Sequence, residues 1–170
     1  MTRKERIRRA ALICCHCTRN VAYYRAGWES GELIDKTEYG ATTNSNFIDL
    51  GLLEWCKVFG NHEEKHHWKN IVSNKISFRE NMLETINVDI KGLKTHWKKV
   101  LTYRNKFLAH LDTDKVMYVP TLDITLKSVS FYYSYLQEHQ NTNNIFYGLP
   151  HVLETYYEEC YKDASARRLG

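Results

Sequence analysis

Between residues 93 and 111, Leu93, Trp97, Val100, Arg104, Phe107 and Leu111 follow one another at steps of four, three, four, three and four. That spacing lines side chains along one face of an α-helix, so the segment predicts a helix packed into a core. It also places a permanent charge in the buried stripe. A guanidinium buried without a partner costs several kcal/mol, a large part of a small domain's net stability. Arg104 must therefore be paired, or stand at a groove or an interface.

The rest of the chain carries the same period. Apolar residues recur at helical spacing over about residues 4 to 26, ending near Gly27, and from Phe47 through Leu52, Trp55, Cys56 and Phe59 to Gly60-Asn61. Residues 29 to 46 are rich in turn formers and read as a long loop, with Ser45 or Asn46 as the cap of the helix that follows. A shorter helix is expected within residues 63 to 74. Ser77 and Glu80 have the spacing of a capping box and open a long helical region to about Leu111, broken near Asn87 to Asp89. Pro120 and Pro150 suit first helical positions. Leu122, Leu126, Val129, Tyr133 and Leu136 mark one inward face; Leu153, Tyr156 or Tyr157, and Cys160 mark another. The expectation is an all-α protein, a bundle of four principal helices with additional short helices, in a single domain spanning 1–170.

Composition narrows the class. No run approaches the eighteen or so apolar residues of a membrane span, and the basic start "MTRKERIRR" leads into an apolar stretch without a small-residue cleavage site, so a cytoplasmic protein with no membrane partner is expected. Five cysteines, three of them crowded at Cys14, Cys15 and Cys17, do not space like a disulfide framework and read as small buried apolar residues. The net charge of +4 is modest, but it is unevenly spread. Residues 3 to 9 carry five basic residues, and residues 91 to 111 carry Lys91, Lys94, Lys98, Lys99, Arg104 and Lys106 with no acid. Each run fits either a solvated helix face or a contact with nucleic acid.

A second line on the helix at 93–111, His96, Lys99, Tyr103, Lys106 and His110, also steps by three and four and reads as a basic face. Arg104 and His110 are separated by about 120° on an ideal helix, so one helix does not easily aim both at one atom. Two copies meeting about a two-fold axis would pool them. Arginine forks onto phosphate oxygens and histidine titrates near neutrality, a set suited to phosphodiester chemistry. The alternative is structural: Arg104 pairs with Asp112 or Asp114, and His110 sits favourably at a helix carboxyl end.

The segment "YRNKFLAH" resembles the motif of the HEPN superfamily, an arginine and a histidine separated by four to six residues, with a polar residue after the arginine. The wider pattern "LLEWCKVFGN", "HHWKNIV", "YRNKFLAHLD" and "VPTLD" resembles the AbiU-like branch, found in bacterial abortive-infection systems, over roughly residues 10 to 140. The resemblance implies a HEPN-type up-and-down four-helix bundle, a homodimer through the motif helices, and a metal-independent endoribonuclease that needs no cofactor. Its catalytic residues would be Arg104, Asn105 and His110, with Lys99, Tyr103 and Lys106 guiding RNA by charge and stacking. An antitoxin or sensor protein is an implied partner. A tyrosine modified in some members falls here on Asp112, which argues against that regulation. A HEPN module that binds RNA, a nucleotide or a protein without cutting is the alternative.

His62-Glu63-Glu64-Lys65-His66 spells the zinc-protease signature H-E-x-x-H. The preceding Gly60-Asn61 and the polar Glu64 and Lys65 favour a solvated turn, and no metal site is expected.

Overall fold

The computed structural model describes residues 1–108, 118–140 and 144–168. It is an all-α helical bundle: α1 (Arg3–Ala26), α2 (Glu38–Trp55), α3 (Trp68–Ile71), α4 (Lys75–Ile86), α5 (Ile90–Tyr103), α6 (Leu122–Gln140) and α7 (Leu153–Arg168). Two π-helical turns extend α2 and α5, at Cys56–Gly60 and Arg104–Leu108. A two-stranded hairpin, β1 (Trp28–Glu29) and β2 (Glu32–Leu33), follows α1.

Helix α1 is the central rod, packing against α2, α6 and α7, while α4 packs on α6. Small residues let the neighbours approach it: Ala10, Ala11, Cys14, Cys17, Val21 and Ala22 are fully buried. The five cysteines are all buried free thiols. Burial lifts the Cys15 thiol to about 11, which keeps it protonated at neutral pH.

Local chemistry sets the helix ends, and several differ from expectation. The expected long loop is a tight hairpin turned by Ser30 (φ 51°) and Gly31 (φ 83°), the positive-φ pair that a two-residue turn requires. Helix α2 then begins well before Ser45 and Asn46, capped by Thr37, whose Oγ1 accepts from the Gly40 amide at 3.0 Å. Its first turns are mostly solvent-facing, so they show no apolar stripe. Ser77 and Glu80 do not form the capping box; Asn74 caps α4 by accepting from the Ser77 amide at 3.1 Å. A capping box is present instead at Thr2 and Glu5. The expected break holds: Asn87 ends α4 in the left-handed region (φ 54°) and Asp89 caps α5 through the Gly92 amide at 2.6 Å. Helices α6 and α7 begin at Leu122 and Leu153 rather than at Pro120 and Pro150.

The basic amino-terminal run is partly structural. Arg3 donates to the Ile71 carbonyl (3.0 Å) and to Gln140 Oε1 (2.9 Å), tying the ends of α3 and α6 to α1. Arg8 donates to the Ile145 and Tyr147 carbonyls and so holds the turn at 144–148. No described helix is long and apolar enough to cross a membrane.

Polar groups are paired where α2, α5 and α6 meet. Trp55 Nε1 donates to Ser128 Oγ at 2.9 Å, and Ser128 donates to the Thr125 carbonyl at 3.0 Å. His96 Nε2 and Thr125 Oγ1 share a hydrogen bond at 3.1 Å, and the His96 ring stands edge-on to Trp55 at 5.3 Å. Burial pushes the His96 imidazole down to about 4, with Lys99 adding to the shift. Burial likewise holds His67 at about 4, opposed by a hydrogen bond to the Phe59 backbone.

These two histidines set a pH dependence. An unfolded histidine titrates near 6.5, so between pH 6.5 and about 4 the unfolded chain binds protons that the native chain refuses. Stability is full above pH 6.5 and falls as the pH drops, by about 1.4 kcal/mol per pH unit for each ring in the steep region. The urea midpoint should fall between pH 7 and pH 5, with His16 and His66, also pushed down by burial, adding to the fall, and His96→Gln should make it shallower; an unchanged slope in the variant would refute the assignment.

Candidate functional site

The site is built at the carboxyl end of α5. The residues of α5 that are fully buried are His96, Val100 and Tyr103, so the core stripe is rotated from the one the apolar residues suggested. Leu93, Trp97 and Arg104 are half-buried at its margin. The rotation follows from partners: His96 is satisfied by Thr125, and the Tyr103 hydroxyl donates to Asp49 Oδ1 on α2 at 2.6 Å. A polar side chain with its hydrogen bond made is a core residue, whatever its hydropathy.

Arg104 thereby leaves the centre of the stripe. It opens the second π-helical turn, which packs against α2. Its Nε and Nη2 both donate to Asn105 Oδ1, at 3.0 and 2.8 Å. The amide oxygen of Asn105 neutralises no charge; it fixes the plane of the guanidinium and occupies one edge. Among the described residues no carboxylate pairs with Arg104. Asp112 and Asp114, the acids weighed as partners, lie outside the described residues, as does His110. The charge is felt at Cys56, whose thiol burial pushes up to about 11 while Arg104 acts in the opposite sense.

Each π-helical turn takes an extra residue into the turn, a distortion frequent at functional sites. The two turns are linked through α5. Trp97 Nε1 donates to the carbonyls of Phe59 (3.1 Å) and Gly60 (3.0 Å), which satisfies the end of the first π-helical turn where no helical amide follows. With the ladder widened from Arg104 onward, the angle of an ideal α-helix no longer relates Arg104 to residues beyond it.

The expected RNA-guiding residues separate. Lys99 is exposed on α5, and Lys106 is half-buried and engaged in an interaction of its own. Tyr103 departs from expectation: at 1% exposure its ring is not available for stacking on a base. Its role is to lock α5 to α2 one residue before Arg104. Asp49, which the sequence did not single out, is the acceptor; burial raises its carboxyl pKa and the Tyr103 bond counteracts this. No sequence pattern flags such a pair, because the two residues are brought together only by helix packing.

The H-E-x-x-H match dissolves on folding. His62 to His66 lie in turns between the first π-helical turn and α3, so the two histidines are not successive ligands on a helix. Among the described residues no group of three or more His, Cys, Asp or Glu could hold a metal ion.

Tyr103→Phe should lower stability by about 1–2 kcal/mol, as expected for losing a hydrogen bond to a half-buried carboxylate, while far-UV circular dichroism stays native. A urea midpoint equal to that of the parent chain would show that the Asp49 contact contributes nothing. Compared with protein-family models, with curated proteins and with solved structures, the chain matches none of them.

Proposed function

We propose that this protein is a metal-independent endoribonuclease of the HEPN toxin or antiphage type, acting in abortive infection as a homodimer whose motif helices share one composite site. The observation that carries the reading is the pairing of Arg104 with Asn105: within the motif R-N-x-x-x-x-H the guanidinium is held in plane by its neighbour's amide oxygen, half-exposed, with no carboxylate among the described residues to quench it.

In this reading Arg104 stabilises the charge that develops on the phosphorane oxygens, a task that rewards a preset donor over a mobile one. Asn105 sets the guanidinium plane and gives up that edge, or shares it, when phosphate arrives. His110 moves the proton between the 2'-hydroxyl and the leaving group. The 2'-oxygen attacks the adjacent phosphorus and the 5'-oxygen leaves with a proton, so the products are a 2',3'-cyclic phosphate and a 5'-hydroxyl. Lys99 on the same helix attracts the strand by charge alone, since Tyr103 is committed to Asp49. An antitoxin or sensor that covers this end of α5 would hold the enzyme silent.

Purified protein should cleave RNA in the presence of EDTA, leaving 2',3'-cyclic phosphate ends. Arg104→Ala and His110→Ala should each lower the rate by about 10²- to 10⁴-fold while the chain stays folded and of unchanged size in solution. RNA left intact by the parent protein, yet bound by it, would refute the nuclease and support a non-catalytic RNA-binding HEPN module.

A further inference from the structure

Helix α6 packs on α1 and leaves another face open between α4 and α7. That face carries Lys127, Ser130, Phe131, Ser134, Tyr135 and Glu138, at steps of three, one, three, one and three. It floors a furrow of about 610 Å³, which α4 walls with Ser77 and Asn81. A hollow of about 170 Å³ beside α1 and α7 shares Lys127, Ser130 and Glu154 with the furrow, so the two are continuous. Arg104 lines neither.

The furrow has two defined ends. Arg3 holds the Ile71 carbonyl and Gln140 together, which sets the start of α4 beside the end of α6. Phe78 then meets Phe131 and Tyr135 edge-on, at 5.2 and 4.9 Å. The two helices therefore run antiparallel, with Glu138 at the Asn74 end. Toward the other end Ser130 Oγ donates to Glu154 Oε1 and holds that carboxylate at the furrow. Ser130 and Glu138 are eight residues apart, about 12 Å along the helix.

The lining is acidic and rich in hydroxyls. Glu138, Glu154 and Glu158 are exposed carboxylates, and among the described residues none of them pairs with a lysine or an arginine. Lys127 is the one lysine or arginine on these walls. The hollow adds an observation of a different kind. Thr18 on its wall is 2% exposed, and its Oγ1 is buried without a hydrogen-bond partner. A buried hydroxyl left unbonded is costly, and a donor that enters the hollow would relieve it. Leu126, Leu153 and Tyr157 make the remaining wall apolar, which suits methylene groups.

These features select a class of ligand. An anion would face three carboxylates against one lysine. A flat aromatic would compete with rings already engaged: Phe78 is buried, Phe131 packs on it, and Tyr135 is stacked on His139 at 4.3 Å. A metal ion would need a close group of ligands, and among the described residues there is none. A linear aliphatic polyamine meets every condition, with ammonium groups for the carboxylates, N–H donors for the hydroxyls and methylenes for the apolar wall. We propose that the furrow and its hollow bind one linear triamine of the spermidine class. One terminal ammonium lies in the hollow with Thr18, Glu154 and Glu158, and the other lies on Glu138. Extended, the terminal nitrogens of spermidine stand about 11 Å apart, which matches the span from Ser130 to Glu138. This binding does not depend on the nuclease reading.

Isothermal titration of the full-length protein with spermidine, putrescine, trilysine and magnesium chloride at one ionic strength tests it. Spermidine should bind saturably at one site per chain. Putrescine, too short to span the furrow, should bind at least about tenfold more weakly, and magnesium should give no saturable heat. Glu154→Gln and Glu138→Gln should each weaken spermidine about tenfold, while Glu138→Gln leaves putrescine unchanged. Thr18→Val, close in shape, should weaken spermidine several-fold with native circular dichroism. Lys127→Gln should bind spermidine at least as tightly as the parent chain, because the one opposing charge is gone, and Glu29→Gln on β1 should change nothing. Absence of saturable binding, putrescine equal to spermidine, saturable magnesium binding, weaker binding by Lys127→Gln, no effect of Thr18→Val, or Glu29→Gln as damaging as Glu138→Gln would each overturn the proposal. Trilysine tighter than spermidine would overturn it in favour of a basic segment of a partner protein.

Discussion

The hydrogen-bonded knot of Trp55, Ser128, Thr125 and His96 is the constraint on which the rest of the bundle depends. It joins α2, α5 and α6 at a point where every member is buried. Each polar atom in it would be expensive if left alone, so the three helices have one relative rotation at which all the bonds close. That rotation seats His96 inward and, two turns on, brings Tyr103 inward as well, where Asp49 accepts a hydrogen bond from its hydroxyl. A hydrophobic stripe alone would tolerate several rotations; the polar knot selects among them.

The position of Arg104 follows. With His96, Val100 and Tyr103 inward, the next residue emerges at the margin of the core, facing neither full solvent nor the interior. There the guanidinium escapes the desolvation that a central place would impose, and Asn105 holds it in plane. The widened turn from Arg104 to Leu108 adds a residue just where the motif begins. The same helix, through Trp97, completes the end of the first π-helical turn. Both distortions of the helical ladder therefore bear on α5, and Arg104 to Leu108 form the less regular part of it.

Much of the fold was legible in the sequence because its cause is local. Helical period, the break at Asn87 to Asp89 and the end of α1 near Gly27 all depend on residues within a turn of one another. The hairpin and the early start of α2 were hidden because residues 38 to 46 face mostly outward, so the cap at Thr37 had no apolar stripe to announce it. The capping box at Ser77 failed for a related reason: Asn74, three residues earlier, competes for the same amide and wins. The H-E-x-x-H string had the letters of a metal site without the helix that gives the spacing its meaning.

The candidate site divides in the same way. Sequence by itself determined that a charged residue interrupts a line of apolar residues at helical spacing, that an asparagine adjoins it, and that cations crowd this segment without acids. These are facts of order and period, which hold however the helices dock. Only the tertiary structure decided that Tyr103 is a core residue bonded to Asp49 and that the stripe turns toward His96. Each of those joins residues tens of positions apart, and apolar burial together with the hydrogen bonds that buried polar groups make brings them together.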